Sequence, residues 1–433
     1  MWYDKEELNR NSCSHGGVQC PYPLYAWITS CVTLPNAIAS GSRNRNTSTR
    51  VIVLVGLMLC EGRRTLVGRL RQVAEAASLA GLSRFRSQAP WDEREMAKQW
   101  LEDWRLAMEP AVQAEQARLR QVQAKRRGRP RVPLVTGYLI GDDSTMHKPK
   151  GKKMQGLGHH HSTTSEQRIV GHSLVEGVYV LLERRCPLSP QLYRQQVTCE
   201  AEGVAFQSKI ALMEERIRSF EPVAGTRTPV LLDSWYCAKV LWKAARERHF
   251  LITTGLGSHR WLRVADPTAE GGWRGPRLSD YTAQLQDSSY QRVRWPNSEQ
   301  EVYVHVVTTR VRKLSQCQVV IVRQSLDAPL SQARSWASSD LEADLETLLT
   351  HIATRWQIEV LFGDGKEELG LDHYQLMSAL AIVRLPSAGS AGLRLPGGRT
   401  GALATAVAAP RHHRRSAARD PTPPSTAGPR LAS

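Results

Sequence analysis

The segment His351-Ile-Ala-Thr-Arg-Trp-Gln-Ile-Glu359, followed by Lys366, places one carboxylate between two cations. At 100° per residue, Arg355, Glu359 and Lys366 lie within about 40° of each other on a helix. One interpretation is a row of ion pairs, each of which stabilises a helix by only a few tenths of a kcal/mol. The other is a metal-binding carboxylate with phosphate-binding neighbours. The rest of the chain has to decide between these two interpretations.

The region before this segment predicts a mostly β insertion followed by one long helix. Residues 256–335 are rich in Trp, Arg and Gly and contain alternating strands. Ser338-Ser-Asp-Leu-Glu342 then has the composition of a helix start. Gly363 and Gly365 are expected to loosen the far end of that helix. Its apolar stripe is Leu345, Leu349, Ile352 and Trp356.

Residues 131–255 alternate between strands and helices in the order three strands, helix, strand, helix, strand. The predicted strands are Val135–Ile140, Arg168–Val175, Val178–Leu182, Pro229–Asp233 and Phe250–Thr254, and the predicted helices are Lys209–Phe220 and Ala238–Arg248. The spacing of the first three strands suits antiparallel neighbours. The short apolar strand that ends in Asp233 suits a buried strand of a mixed sheet. The pattern therefore predicts an α/β fold with flanking helices.

Composition narrows the class of partner. The 433-residue chain has 58 Lys and Arg against 41 Asp and Glu, which gives a net charge of +17. Such a charge favours a polyanion, most often nucleic acid, although a basic proteome would produce the same balance. The acidic, polar start is not a signal peptide, and the longest apolar run, Val51–Cys60, is half the length of a membrane span. The eight cysteines form no C-x-x-C pair. We expect no membrane contact and a cytoplasmic location with reduced thiols.

Both ends of the chain differ from its middle. Residues 1–130 are expected to be mostly helical, with Asp92 capping a helix and Glu95 reaching back to it. They end in a basic stretch whose Arg127-Gly-Arg129-Pro core is similar to the AT-hook, an arm for the minor groove; a solvated linker is the equal alternative. Residues 379–433 are rich in Ala, Gly, Pro and Arg, and we expect disorder there. A frameshift in a GC-rich gene would produce such a tail.

Three carboxylates occupy positions where their orientation can be fixed. Asp143 follows the first strand, Asp233 ends the fourth, and Glu359 lies on the long helix. Hard cations such as Mg²⁺ take oxygen ligands, so a few carboxylates suffice. Bound there, such ions can activate a water or a 3′-hydroxyl against a phosphodiester. Asp142 competes with Asp143 for the first position. Taken singly, a strand-end Asp is more often a cap or turn residue.

These motifs together resemble those of the bacterial DDE transposases of insertion sequences. The matching segments are Asp143-Ser-Thr, Leu231-Leu-Asp233-Ser-Trp-Tyr236 and Arg355-x3-Glu359-x6-Lys366. The last fits the Tyr-x2-Arg-x3-Glu-x6-Lys signature of the insertion-sequence-four superfamily, except that Ile352 stands at the tyrosine position. The family places its first carboxylate directly before Ser or Thr, which favours Asp143 over Asp142.

The resemblance implies an RNase H-like mixed sheet with flanking helices, interrupted by a mostly β insertion and preceded by a helical N-terminal domain. The implied segments are a helical DNA-binding region with its basic linker, the first part of the core, the insertion, the second part of the core with the Glu helix, and the tail. Their ranges are 1–130, 131–255, 256–335, 336–378 and 379–433.

The resemblance also implies roles for particular residues. Asp143, Asp233 and Glu359 would hold Mg²⁺, with Mn²⁺ as a substitute, while Arg355 and Lys366 would grip phosphates. Lys148, Lys150, Lys152 and Lys153 form a basic turn that either contacts the DNA backbone or is a solvated loop. His159-His-His161 suits a polar hairpin better than a metal site. Trp261, Trp273 and Trp295 either pack the insertion or stack on a flipped base.

We therefore expect a cut-and-paste transposase that binds terminal inverted repeats of double-stranded DNA, cleaves the ends and joins them to target DNA. By family analogy it would act as a homodimer. Two alternatives stay open. One is a catalytically impaired relic that only binds DNA, and the other is an RNase H-like nuclease without strand transfer.

Overall fold

The computed structural model describes residues 78–90, 92–124, 134–161, 167–265, 273–368 and 370–385. The helices are α1 (Leu79–Ser87), α2 (Glu93–Ala124), α3 (Gln196–Glu202), α4 (Lys209–Ser219), α5 (Lys239–Glu247), α6 (Leu278–Gln284), α7 (Leu345–Thr354) and α8 (Gln357–Gly363). A helical segment at 379–385 follows them.

The strands are β1 (Val135–His147), β2 (Gly158–His161), β3 (Arg168–Leu181), β4 (Arg184–Pro187), β5 (Gln191–Tyr193), β6 (Thr226–Arg227), β7 (Pro229–Leu232), β8 (Leu251–Gly255), β9 (Leu262–Ala265), β10 (Trp273–Arg274), β11 (Gln291–Arg294), β12 (Glu301–Val311), β13 (Gln316–Arg323) and β14 (Arg334–Ser338).

One mixed sheet organises the described chain. Its main path runs β10-β9-β12-β13-β14-β8-β7-β1-β3-β2, and the four remaining strands pair along its sides. β1 is antiparallel to β3 and parallel to β7, and β7 is parallel to β8. An antiparallel pair joined to two parallel strands through β1 is the arrangement of an RNase H-like core, so the predicted fold class is confirmed.

The insertion continues this sheet. β14 pairs antiparallel with β8, and β13, β12 and β9 follow outward in order. The strands between residues 262 and 338 therefore widen the core sheet by hydrogen bonding to its edge at β8. Such an extension also covers the otherwise unpaired edge of β8.

The two faces of β1 pack against different helices because successive side chains of a strand point to opposite faces. Leu139 joins the large cluster that includes Met213 of α4 and Leu241 of α5. Ile140, the next residue, joins a smaller cluster with Ile358 of α8. Because apolar residues on both of its faces are buried, β1 is an interior strand that can fix the orientation of its own polar side chains.

The long helix predicted after Ser338 is two helices. Ser338 belongs to β14, and the N-cap is Asp344, whose carboxylate accepts from the Thr347 backbone N–H at 2.8 Å. α7 ends at Thr354 and α8 begins at Gln357. α7 packs on the insertion strands and α8 packs on β1, β3 and β7, while Arg355 and Trp356 between them keep helical backbone angles.

Three further expectations can be compared with the fold. Asp92 caps α2, since its carboxylate accepts from the backbone N–H of Arg94 and Glu95. The two strands predicted between Arg168 and Leu182 are one strand, β3, which pairs continuously with β1. The sequence predicts disorder from residue 379 onward, but Ile382 and Leu385 are buried in the helical segment 379–385, and the rest of the predicted tail lies outside the described residues.

No helix in the described ranges is long and apolar enough to cross a membrane.

Candidate active site

Asp142 is the carboxylate of β1 that faces α8. It lies two residues after Ile140, on the same face of the strand. Its Oδ2 is 3.6 Å from Nη1 of Arg355, at the junction between α7 and α8. Burial and, after it, the charge of Asp233 raise the pKa of Asp142 to about 7, although the charge of Arg355 opposes this shift. A further cation beside Asp142 would favour its ionised form at neutral pH.

Asp233 reaches the same place from the neighbouring parallel strand. β7 ends at Leu232, which is in register with Gly141 of β1, so the next residues along both strands are Asp233 and Asp142. Asp233 has extended backbone geometry and precedes a single 3₁₀ turn at Ser234–Tyr236. β7 ends before Asp233, whereas β1 continues to His147, so Asp142 and Asp143 lie within β1 and the predicted strand end at Ile140 is wrong. The parallel pairing of the two strands places Asp142 beside Asp233.

Glu359 completes the group from α8. Ile358 and Leu361 fix this helix against the sheet, and Glu359 accepts from Nη2 of Arg355 at 2.6 Å. Burial raises the pKa of Glu359; Arg355 opposes that shift, and the charge of Asp233 adds to it. Asp142, Asp233 and Glu359 therefore converge from three elements, with one guanidinium touching two of them.

The donor set fits a hard divalent cation. Three carboxylates with no thiolate or imidazole among them suit Mg²⁺ or Mn²⁺. Within the ranges that the structure describes, however, no three His, Cys, Asp or Glu side chains already stand close enough to hold a metal ion. The guanidinium of Arg355 contacts two of the three carboxylates, Asp142 and Glu359.

Asp143, the residue preferred from the sequence, points to the other face of β1. Its Oδ2 accepts from Nζ of Lys209 at 2.6 Å, and its Oδ1 accepts from the Tyr236 hydroxyl at 2.9 Å. Ser173 of β3 donates a further, longer bond at 3.3 Å. These partners lie on the α4 side of the sheet, away from Glu359. The geometry therefore favours Asp142 as the partner of Asp233 and Glu359.

Lys366 does not continue the helical face of Arg355 and Glu359. After Gly363 the chain forms a π-helical turn, Asp364–Glu368, as the two glycines of this region suggested. Burial raises the pKa of Glu176 to about 7, although the positive charge of Lys366 opposes this shift. Glu176 is the cross-strand neighbour of Asp142 on β3. Lys366 consequently lies at the edge of the same carboxylate group.

The basic turn after β1 divides into buried and exposed lysines. Lys148 is buried, lies 3.6 Å above the ring of Tyr374, and donates to the backbone carbonyls of Asp372 and Tyr374. It anchors the segment after the Glu helix, and its ammonium group has these protein partners. Lys150 and Lys152, with Lys153, are exposed. Arg127 and Arg129 lie outside the described residues.

The remaining sequence candidates take mainly structural places. His159–His161 form part of the hairpin strand β2, as expected for a polar hairpin. Trp295 is buried in the insertion, whereas Trp261 is 40% exposed and contacts Arg277. The side chain of Trp273 lies outside the described set.

Sequence reasoning missed two residues. Lys209 neutralises Asp143, and Trp235, two residues after Asp233, is 71% exposed. The Asp233-Ser-Trp motif was the available signal for Trp235, and nothing local marked Lys209.

Comparison with known proteins agrees with this arrangement. A family profile described as DDE superfamily endonuclease matches residues 39–318, more than half of the chain. This match includes the strands that carry Asp142 and Asp233 and ends before Glu359. No curated protein matches the chain as a relative. By its sequence the protein is a member of the DDE superfamily of endonucleases.

Proposed function

We propose that this protein is the transposase of an insertion sequence: it binds the terminal inverted repeats of double-stranded DNA, cleaves the ends and joins them to target DNA. The observation that supports this most is the meeting of Asp142, Asp233 and Glu359 from β1, β7 and α8 beside Arg355. Membership of an endonuclease family supports the cleavage step. The insertion-sequence-four assignment rests on the Arg355–Glu359–Lys366 spacing.

In this proposal Asp142, Asp233 and Glu359 hold Mg²⁺, or Mn²⁺ in its place. The bound ions would lower the pKa of a water or a 3′-hydroxyl and stabilise the leaving oxygen of a phosphodiester. Asp143 is assigned a supporting role, because its ion pair with Lys209 joins β1 to α4 beside the site.

The basic side chains around the carboxylates would bind the phosphates of the DNA backbone. Arg355 and Lys366 lie beside the site, and the exposed Lys150 and Lys152 belong to the turn that follows β1. Arg127 and Arg129 of the basic linker would add contacts to the DNA backbone. The net charge of +17 favours the same partner. We further propose that the protein acts as a homodimer that pairs two transposon ends. Its proposed location is the cytoplasm, in association with the nucleoid.

The test uses DNA that carries the element's own ends, found by inspecting the flanking sequence for inverted repeats. We expect cleavage at the ends with Mg²⁺, no cleavage with EDTA, and joining of the cut ends to a target plasmid. Cleavage without joining would leave a nuclease and exclude the strand-transfer part. End binding without cleavage would favour the impaired relic.

The relic is the second candidate because of Ile352 and the tail. Ile352 of α7 is buried in an apolar cluster, and it has no hydroxyl group to contact DNA as the tyrosine of the family signature would. The frameshift hypothesis for the tail predicts that another reading frame, downstream of codon 384, encodes an apolar continuation with helical periodicity. If neither alternative frame encodes one, the frameshift hypothesis is wrong.

A further inference from the structure

Arg355 has two carboxylate partners on different elements. Its Nη2 is 2.6 Å from Oε1 of Glu359, one helical turn further on, and its Nη1 is 3.6 Å from Oδ2 of Asp142 on β1. The side chain is only 18% exposed. An ordinary helical i,i+4 ion pair has one partner and lies at the surface. The guanidinium of Arg355 instead bridges a helix and a strand.

This bridge joins two of the three proposed metal ligands, Asp142 and Glu359. Asp233 lies close enough for its charge to act on both Asp142 and Glu359. Three carboxylates without a cation repel one another, and a planar guanidinium with five N–H donors can donate to two of them at once. Arg355 therefore supplies one of the positive charges that a divalent cation would bring to the same carboxylates.

We propose that Arg355 is a built-in counter-cation: it holds Asp142 and Glu359 in the metal-free protein, and it releases them when a divalent cation binds. This inference rests on the proposed function, since it takes the same carboxylates as metal ligands. Arg355 is a positioning residue in this account. Its side chain, once released, is free to contact a DNA phosphate, so metal and DNA binding would favour each other.

The test compares Mn²⁺ binding by isothermal titration calorimetry in the full-length wild type, Arg355→Gln and Arg218→Gln. Arg218 is the matched control, because it also joins two carboxylates on different elements, Glu214 on α4 and Glu247 on α5, neither of which is a proposed metal ligand. We expect Arg355→Gln to bind Mn²⁺ about tenfold more tightly than the wild type, since a charge-assisted hydrogen bond no longer competes. Arg218→Gln should bind as the wild type does.

DNA supplies the second readout. A short duplex of the transposon end should tighten Mn²⁺ binding to the wild type by drawing Arg355 away, and this effect should disappear in Arg355→Gln. Thermal unfolding in EDTA should show that Arg355→Gln is less stable than the wild type and that Mn²⁺ restores more stability to it. If Arg355→Gln does not fold, Arg355→Lys is used, and it should bind Mn²⁺ more tightly than the wild type because its single ammonium group cannot donate to both carboxylates as a planar guanidinium does.

The outcomes separate this inference from the proposed function. Unchanged or weaker Mn²⁺ binding in Arg355→Gln, with normal binding by the wild type, overturns the counter-cation and leaves the metal site standing. Failure of the wild type to bind Mn²⁺ at all overturns both.

Discussion

Replacement of Asp142 and replacement of Asp143, adjacent residues of β1, should have opposite effects on stability. Asp142→Asn removes a carboxylate crowded by Asp233, and Asp143→Asn removes one that is paired with Lys209. In EDTA at pH 8, we expect Asp142→Asn to stabilise the protein and Asp143→Asn to destabilise it. With Mg²⁺ and DNA, only Asp142→Asn should abolish cleavage.

The magnitude for Asp142 comes from its pKa, which is about 7 in the folded protein against an ordinary value of 3.8. The folded protein binds more protons than the unfolded chain between these values, so stability falls as the pH rises from about 4 to about 7. Above pH 7 the buried charge costs about 4 kcal/mol. Asn must still bury a polar amide, so a net gain of about 1–3 kcal/mol is expected.

The magnitude for Asp143 comes from its contacts. Lys209 and Tyr236 donate to it at 2.6 and 2.9 Å, and both side chains of the ion pair are about one-fifth exposed. Breaking a fully buried pair costs about 3–5 kcal/mol, and partial exposure reduces this to about 2 kcal/mol. An Asn keeps one acceptor for Tyr236, which places the expected loss at the lower end.

Urea denaturation in EDTA at pH 8 measures both free energies of unfolding, and cleavage of end-bearing DNA with Mg²⁺ measures activity. The reasoning is refuted if Asp143→Asn abolishes cleavage while Asp142→Asn retains it. Equal stability losses in both variants would also contradict the placement of the two carboxylates on opposite faces of the sheet.

Other parts of the structure give three further predictions. Lys148→Ala should lower stability by about 2 kcal/mol and speed proteolysis after residue 370, because two carbonyls lose their donor, while Lys150→Ala should do neither. Burial lowers the pKa of His172 and His351 to about 4, so the free energy of unfolding should fall as the pH drops from about 6.5 towards 4, by up to about 3 kcal/mol per histidine. In urea denaturation at several pH values, His351→Phe should reduce this loss of stability at acidic pH. Trp235→Ala should leave the unfolding free energy unchanged and weaken binding to DNA ends by about tenfold in an anisotropy assay, because this exposed ring is available for stacking.

The sheet core was accessible from the sequence because its signals are local. Short apolar runs and turn residues located β1, β7 and β8, and helical periodicity located α4 and α5. The break between α7 and α8 was not accessible, because neither Pro nor Gly marks Arg355 and Trp356. It arises because the two helices pack on different parts of the sheet, a consequence of contacts distant in sequence.

The candidate site divides in the same way. Spacing and residue type located Asp233 and Glu359, but the choice between Asp142 and Asp143 depends on which face of β1 meets α8. Both faces of that strand are buried, so no alternation of polar and apolar residues reveals the orientation. Lys148 resembled a surface lysine for a related reason, since Tyr374, which covers it, lies 226 residues further along the chain.

Anomalous X-ray scattering from crystals soaked in Mn²⁺ tests the central claim most directly. The account predicts an anomalous difference peak within about 2.0–2.6 Å of carboxylate oxygens of Asp142, Asp233 and Glu359, with the guanidinium of Arg355 moved away. A peak on Asp143, or the absence of any peak at these carboxylates, would contradict it.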